Sequence, residues 1–222
     1  MKKTVKKSGK IRKASIERNT TEVDIKGALA IDGKGEAKIK TPFEPLNHLL
    51  TLFAFHGFFD LKLEAKGDLA HHIIEDIGIA LGQAFKKALG DKAGIKRYGS
   101  FSLVMDETVV EANVDISGRP VFKKITSLFI PEGSLFKDVQ PVDSAHLGRF
   151  DNTSFSYDHA EEFLKAFTQH AGLGLVYIVK SKPSDLHHLL EALFKAMGKA
   201  LDQATQIDPR RCGVPSTKGI ID

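Results

Sequence analysis

The chain has 222 residues, of which 42% are hydrophobic and 27% are charged, a balance typical of a folded globular protein rather than a disordered one. Its single cysteine, Cys212, excludes an internal disulfide, and no apolar run approaches the roughly 18 residues that a membrane span requires, so we expect a reducing, cytoplasmic setting. The formal net charge is +4, but seven basic residues lie between Met1 and Lys13, so the rest of the chain is acidic and does not look like a nucleic-acid binder.

The leader and the strands of the first half are predicted from charge and alternation. Residues 1–14 carry the basic run without the apolar segment of a secretory signal, which indicates a flexible basic leader. Alternation of apolar and polar residues predicts strands at residues 16–25, 28–31, 37–39 and 59–65. The sequence Asp32-Gly33-Lys34-Gly35, between the second and third of these strands, predicts a β-hairpin turn.

Helices are predicted where apolar residues recur at helical spacing, and the order of elements repeats in the second half. The helices predicted in this way are residues 46–55, 71–89, 157–171 and 187–204. The strands predicted in the second half are residues 101–106, 110–116 and 173–179. The periodicity fades at about residues 131–156, which indicates a long insertion rather than a domain boundary. We therefore predict two repeat halves, residues 15–95 and 96–222.

One short pattern occurs twice, each time at the start of a predicted helix. His71-His72-Ile73-Ile74-Glu75 and His187-His188-Leu189-Leu190-Glu191 share the pattern HHxxE. At matching spacing beyond it, the two segments also agree at Ala80 with Ala196, Gly82 with Gly198 and Ala84 with Ala200. An internal duplication is the simplest explanation. Two halves that each cover a sheet with helices would pack helix layer against helix layer.

The repeated pattern favours metal binding. On a helix, His71 and Glu75 point the same way, while His72 lies about 100° round the axis, so one helix can supply two neighbouring ions. Imidazole and carboxylate ligands without thiolates indicate manganese, iron or zinc rather than a structural zinc site. A single HHxxE is more often a polar helix start with incidental histidines, but its repetition reverses that preference.

From about Ile16 to Gly219 the chain resembles the imidazoleglycerol-phosphate dehydratase family. The segments that carry the resemblance include Arg18-Asn19-Thr20-Thr21-Glu22, Asn47-His48-Leu49, Gly67-Asp68-Leu69, both HHxxE strings, Met105-Asp106-Glu107, Asp115-Ile116-Ser117-Gly118-Arg119-Pro120 and Pro215-Ser216-Thr217-Lys218-Gly219. The resemblance implies an α+β fold of two duplicated halves of the β-β-β-α-β-α type, ribosomal protein S5 domain 2-like, packed helix layer on helix layer. It also implies a 24-subunit homo-oligomer built from trimers, with active sites at subunit interfaces.

The family is a hydro-lyase of histidine biosynthesis that removes water from imidazole glycerol phosphate to give imidazole acetol phosphate. The resemblance implies two Mn²⁺ per active site, which bind the imidazole ring and draw charge from it as the proton and hydroxide leave. The ligands it implies are His48, His72, Glu75 and His188 around one ion and His71, His187 and Glu191 around the other. The catalytic residues it implies are Glu22, His72, Glu75, His188 and Glu191. Glu22, otherwise a solvated strand carboxylate, would handle the substrate proton.

Substrate contacts follow from the same resemblance. Those implied beside Glu22 are Arg97, Met105, Arg119, Lys195, Ser216 and Lys218, all but Met105 for the phosphate. Arginine can bind phosphate bidentately, and lysine binds it as a point charge. Taken singly, each of these cations is more often a surface charge, and it is their family positions that favour a phosphate site with a contribution from the C-terminal tail.

Three departures from the family pattern lie ahead of the ligand histidines. Only Ala70 separates Leu69 from His71, so we expect a carboxylate that orients the histidines to be missing. Asn47 replaces an aspartate before His48 and can still hydrogen-bond an imidazole, although it adds no charge. The run from residue 182 to 186 replaces a glycine and an asparagine, so the loop before the second pair is expected to differ in shape.

A fourth departure concerns the second ion. Where the family has the remaining histidine ligand of that ion, this chain has Glu162 or Phe163. Glu162 could ligate through oxygen, or His159, one turn earlier, could take the place. Loss of an imidazole would weaken the second ion. A second hypothesis is therefore a divergent metal-binding relative of the dehydratase that is weakly active or inactive.

Overall fold

The computed structural model describes residues 11–125, 149–150, 153–181 and 183–221. Its first half comprises β1 (Lys13–Asn19), β2 (Val23–Ala30), β3 (Ala37–Lys40), α1 (Glu44–Gly57), β4 (Asp60–Gly67) and α2 (Ala70–Leu89). Its second half comprises β5 (Tyr98–Met105), β6 (Thr108–Asp115), β7 (Val121–Ile125), α3 (Tyr157–Ala171), β8 (Gly174–Val179) and α4 (Leu186–Thr205). The first ten residues of the predicted leader, most of the predicted insertion and Lys182 lie outside the described residues.

The two halves share one sheet topology. Their strand orders are β1-β2-β4-β3 and β5-β6-β8-β7. In each sheet the first three strands in space are antiparallel, and the edge strand β3 or β7 runs parallel to its neighbour. The predicted α+β fold of two β-β-β-α-β-α halves is confirmed. The division at residues 95 and 96 stays a prediction.

The hairpin predicted at residues 32–35 is wrong, because β4 inserts between β2 and β3. The oxygen Asp60 Oδ1, at the start of β4, accepts hydrogen bonds from the backbone N–H groups of Lys34 and Glu36 at 2.7 and 3.1 Å. The segment 16–25, predicted as one strand, is two, because Thr20 Oγ1 accepts from the backbone of Glu22 and Val23 and closes a turn. Strand β7 has no counterpart among the strands predicted from the sequence.

Four layers stack in the order sheet, helices, helices, sheet. Helix α2 packs on β1 and β2 and against α3, while α4 packs on β5 and β6 and against α1. The glycines of the repeat permit the close helix contacts. A methyl group on Gly82 would lie 2.6 Å from the carbonyl oxygen of Phe167, and one on Gly198 would lie 2.6 Å from that of Phe53. Phe53 and Phe167 also touch each other, with ring centroids 5.9 Å apart, at the centre of the core.

This architecture places the predicted metal ligands of both HHxxE strings at the starts of helices. The HHxxE strings begin α2 and α4, and the turns that lead into β2 and β6 lie beside them. Among the described residues, no helix combines the length and the apolar character needed to cross a membrane.

Candidate metal centre

Three potential ligands meet where the start of α4 contacts α1. Glu191 Oε1 lies 2.5 Å from His48 Nε2 and 3.0 Å from His187 Nε2. The ligand atoms of the three residues all lie within 4.8 Å of one another. Two imidazoles and one carboxylate are a donor set suited to a divalent transition ion.

Glu191 is held in its charged form. Its side chain is 8% exposed, and its second oxygen accepts from Lys195 Nζ at 2.5 Å. Burial alone would raise the pKa of Glu191, yet the hydrogen bonds from Lys195 and His48 hold it at about 2. Lys195 Nζ also lies 3.3 Å from Met105 Sδ. A carboxylate that stays ionised at neutral pH is the form that a metal requires.

An aromatic ring supports the histidines of this group. Phe150, which is 3% exposed, stacks on His187 with ring centroids 4.7 Å apart and meets the edge of His48 at 6.4 Å. A cavity of about 380 Å³ opens between these rings, Glu44, Pro45 and Thr153. Phe150 is not among the predicted site residues, because it lies in the segment without periodicity.

The first-half pair lies at the start of α2 with its own carboxylates. His72 Nδ1 is 2.9 Å from Asp68 Oδ1 and 3.8 Å from Glu22 Oε2. The Asp68 hydrogen bond raises the pKa of His72. The expectation that an orienting carboxylate is missing is therefore wrong, since Asp68 itself reaches His72 across the shortened segment. The His71 ring lies 4.2 Å from that of His72.

Glu75 is exposed and faces α3. It lines a cavity of about 370 Å³ together with Asp158, Glu161, Glu162 and Lys165. The alternative ligand His159 is engaged elsewhere, because its Nδ1 accepts from the backbone N–H of Ser156 in a capping box. The buried ring of Phe163 offers no ligand atom. The arrangement favours Glu162 among the three candidates, and its role as a ligand stays a prediction.

His188 contacts a different set of groups from His187. Its Nδ1 lies 3.2 Å from both carboxylate oxygens of Glu107 and 3.2 Å from Ser184 Oγ. Its Nε2 lies 3.4 Å from Asp106 Oδ2. The Glu107 hydrogen bond raises the pKa of His188. The side chain of Asp185 caps α4 by accepting from the backbone N–H of His188 at 2.8 Å.

One chain brings together only part of the predicted ligand set. Among the described residues, His48, His187 and Glu191 form the single group of three whose ligand atoms meet. His48 therefore lies with the ligands predicted for the other ion rather than with His72, Glu75 and His188. Since the resemblance places the sites between subunits, the grouping around each ion stays a prediction.

The expectation for Asn47 is wrong. Its side-chain oxygen accepts from the backbone N–H of Thr41, and its side-chain nitrogen donates to the carbonyl of the same residue. Asn47 thus fastens the start of α1 instead of contacting an imidazole.

The predicted phosphate ligands lie in separate places. Arg97 donates from Nε and Nη2 to Asp115 at 2.7 and 3.2 Å, and from Nη1 to the carbonyl of Pro215 at 3.0 Å. It thereby fixes the C-terminal tail, in which Ser216 Oγ accepts from the backbone N–H of Lys218.

Arg119 lies on the turn between β6 and β7, beside a cavity of about 700 Å³ that Tyr98 and Asp115 also line. Lys195 instead contacts Glu191 of the His48–His187–Glu191 group. The residues implied for one phosphate site thus fall into two regions of a single chain.

Comparison with known proteins identifies the family. The family model of imidazoleglycerol-phosphate dehydratase matches residues 41–201. The imidazoleglycerol-phosphate dehydratase of Pelobacter propionicus is 47% identical, over 95% of this chain and 99% of its own, and that of Thermoanaerobacter pseudethanolicus is 46% identical, over 95% and 100%. The crystal structure of the Staphylococcus aureus enzyme superposes with a TM-score of 0.72 at 32% identity, covering 88% of this chain and 99% of that one. The chain belongs to the imidazoleglycerol-phosphate dehydratase family.

Proposed function

We propose that this chain catalyses the elimination of water from imidazole glycerol phosphate to give imidazole acetol phosphate, a step of histidine biosynthesis in the cytoplasm, with two Mn²⁺ per active site. The observation that carries the proposal is the His48–His187–Glu191 group in a chain of the dehydratase family. The relatives and structures that this chain resembles give no support to the alternative, a divergent metal-binding relative that is weakly active or inactive.

The donor set fits divalent manganese. His48, His187 and Glu191 would hold one ion, and His71, His72, Glu75, His188 and Glu162 are the remaining ligands proposed. When bound, such ions act as Lewis acids that hold an imidazole ring and stabilise negative charge on it. Lys195 keeps Glu191 ionised, and Phe150 restricts the ring of His187, so these ligands are oriented in advance.

Glu22 is proposed to move the substrate proton. Its side chain is 52% exposed directly before β2, and its carboxylate lies 3.8 Å from His72 Nδ1, so it can reach a molecule bound beside His72. It would accept the proton from carbon and return it to the substrate hydroxyl, which leaves as water when its C–O bond breaks. Positioning of a base within reach of the C–H bond is the contribution expected from such a residue.

Arg97 organises the proposed phosphate site. A guanidinium has five N–H donors, and three contacts to Asp115 and Pro215 leave two of them for a ligand. Because the same contacts fix the tail, Ser216 and Lys218 are kept on the Arg97 side of the molecule. Arg119, Lys195 and Met105 complete the set of proposed substrate contacts.

The proposed active form is a homo-oligomer, and we propose the 24-subunit assembly of trimers that the resemblance implies. His71 and Glu75 are exposed on the chain, and α2 supplies no residue to the His48–His187–Glu191 group. Joining of two chains at these surfaces would unite ligands that one chain keeps apart.

The proposal is tested by purifying the protein with manganese, counting metal per chain and following imidazole acetol phosphate formation. Two ions per chain with turnover are expected, and His72→Ala should lose turnover and part of the metal. His170→Ala, which changes a histidine in the last turn of α3, is the matched control and should behave like the unchanged protein. Unchanged protein that takes up no manganese and shows no turnover, or an unaffected His72→Ala variant, would contradict the proposal.

A further inference from the structure

The internal duplication places a glutamate at the same point of each half. Glu22 directly precedes β2, and Glu107 directly precedes β6, the equivalent strand. Each carboxylate lies against the second histidine of the HHxxE pair in its own half. Glu22 is 3.8 Å from His72 Nδ1, and Glu107 is 3.2 Å from His188 Nδ1.

The two glutamates nevertheless have different surroundings. In the first half, Asp68 Oδ1 hydrogen-bonds His72 Nδ1 at 2.9 Å, and Glu22 Oε2 lies farther from the same atom, at 3.8 Å. In the second half, the residue four positions before the second histidine is Ser184, whose hydroxyl is neutral. A serine cannot supply the negative charge that Asp68 supplies.

Glu107 has that charge and is held firmly. Its Oε1 accepts from the backbone N–H of Ser184 at 2.7 Å and from Thr108 Oγ1 at 3.0 Å, while both of its oxygens face His188 Nδ1. Its contacts therefore join the turn before β6 to the loop before α4. Glu107 therefore makes the carboxylate contact to His188 Nδ1 that Asp68 makes to His72 Nδ1.

We propose that Glu107 is the positioning residue of His188: it holds the proton of the ring on Nδ1 and so presents Nε2 as the ligand atom. A histidine that donates its other N–H to a carboxylate has a fixed tautomer, a fixed ring orientation and greater basicity toward a metal. Asp68 does the same for His72, and this leaves Glu22 available for the substrate proton. The inference rests on the proposed function, since it assigns His188 to a metal.

Under this assignment the equivalent glutamates of the two halves have different roles. Both halves place a glutamate beside the ligand helix, but only Glu22 is spared from orienting a ring. Glu107, which orients His188, is thus the second-half counterpart of Glu22, the proposed proton carrier. Its role differs because the second half has Ser184 where the first half has Asp68.

The test compares Glu107→Gln with Glu111→Gln in the full-length protein stripped of metal. Glutamine keeps an oxygen for the Ser184 N–H, but its amide can also donate to His188 Nδ1 and select the wrong tautomer. Glu111→Gln removes the same charge from within β6, the strand that Glu107 precedes, where the carboxylate pairs with Lys180 instead. The readouts are Mn²⁺ affinity by calorimetric titration and the melting temperature of the metal-free protein.

We expect Glu107→Gln to weaken Mn²⁺ binding by about 10-fold or more, with the metal-free melting temperature unchanged and Glu111→Gln indistinguishable from the unchanged protein. Unaltered affinity in Glu107→Gln, equal losses in both variants, or a fall in metal-free melting temperature without a change in affinity would overturn the assignment. Failure of the unchanged protein to bind Mn²⁺ would instead overturn the proposed function.

Discussion

The two halves of the molecule share a topology, but they present their ligand helices differently. In the second half, Glu191 is buried between His48 and Lys195, and His187 is stacked on Phe150. In the first half, the equivalent residues Glu75 and His71 are exposed. The two halves therefore share the scaffold and the HHxxE residues, while the residues around them differ.

The His48–His187–Glu191 group is therefore assembled within one chain, whereas His71 and Glu75 face outward. His48 belongs to α1 of the first half, and it reaches the second half because α1 packs against α4. We therefore expect Glu191 to stabilise the fold even without metal, and Glu75 to contribute little. Substitutions at equivalent positions separate these two roles.

The largest expected effect comes from Glu191→Ala. Removal of this carboxylate leaves the amino group of Lys195, whose side chain is 16% exposed, without its anion. Loss of one partner from a buried pair should lower the free energy of unfolding of the metal-free protein by about 3 kcal/mol. Urea unfolding measures this.

Glu75→Ala is the matched control, because it changes the equivalent residue of the first half. A surface position of this kind should alter the unfolding free energy by less than about 0.5 kcal/mol, although manganese content should fall. Equal destabilisation by the two variants would refute the contrast between the halves.

A second prediction concerns the contacts that the halves share. Gly82→Ala and Gly198→Ala each place a methyl group 2.6 Å from a backbone oxygen of the facing helix. Each should cost about 2 kcal/mol of unfolding free energy, because a backbone cannot yield as a side chain can. Gly174→Ala, whose added methyl meets nothing closer than 3.8 Å, is the control. Thermal unfolding measures the difference. If Gly82→Ala and Gly198→Ala proved as stable as Gly174→Ala, the close helix contacts would not require glycine.

A smaller effect is expected from Phe150→Leu, which keeps an apolar side chain beside His187 but removes the stacked ring. Aromatic pairing contributes about 1 kcal/mol beyond burial, so the metal-free protein should lose roughly that amount. Manganese affinity should also fall, since His187 gains rotational freedom. Calorimetric titration that shows unchanged affinity would mean that Phe150 does not orient the ligand.

The smallest effect is a shift with pH in the first half. The Asp68 hydrogen bond raises the pKa of His72, so the protonated ring persists to higher pH and competes with manganese, which requires the neutral form. Asp68→Asn lowers that pKa toward its ordinary value. The midpoint of manganese uptake should therefore move to lower pH, even as the plateau affinity weakens. Measurement of uptake between pH 5 and 8 checks this, and a midpoint that rises would be inconsistent with the role of Asp68.

The sequence predicts this fold well where the signal is local. Helix α3 has the predicted bounds, because its amphipathic pattern is framed by the cap at Ser156 and by Gly172 in a left-handed conformation. The hairpin at residues 32–35 failed because strand order depends on the distant β4, and no local turn signal reports that insertion. The duplicated HHxxE strings predicted metal ligands from helical geometry, and His187 and Glu191 of the second string do meet His48, but binding of an ion stays a prediction.

The supporting residues of the site were harder to predict. Asp68 and Glu107 were visible only as parts of family segments, since their contact with His72 and His188 depends on loop conformation. An alignment of the halves by strand, rather than by helix, would have paired Glu22 with Glu107. Phe150 gave no periodic signal at all.

The central claim is that ligands from both duplicated helices bind two manganese ions. Anomalous diffraction at the manganese edge from crystals of the metal-loaded protein tests it most directly. We expect two ions per chain, with His48, His187 and Glu191 among the ligands and with His71, His72 or Glu75 completing the sites. Ions bound elsewhere, or anomalous peaks distant from both helix starts, would contradict it.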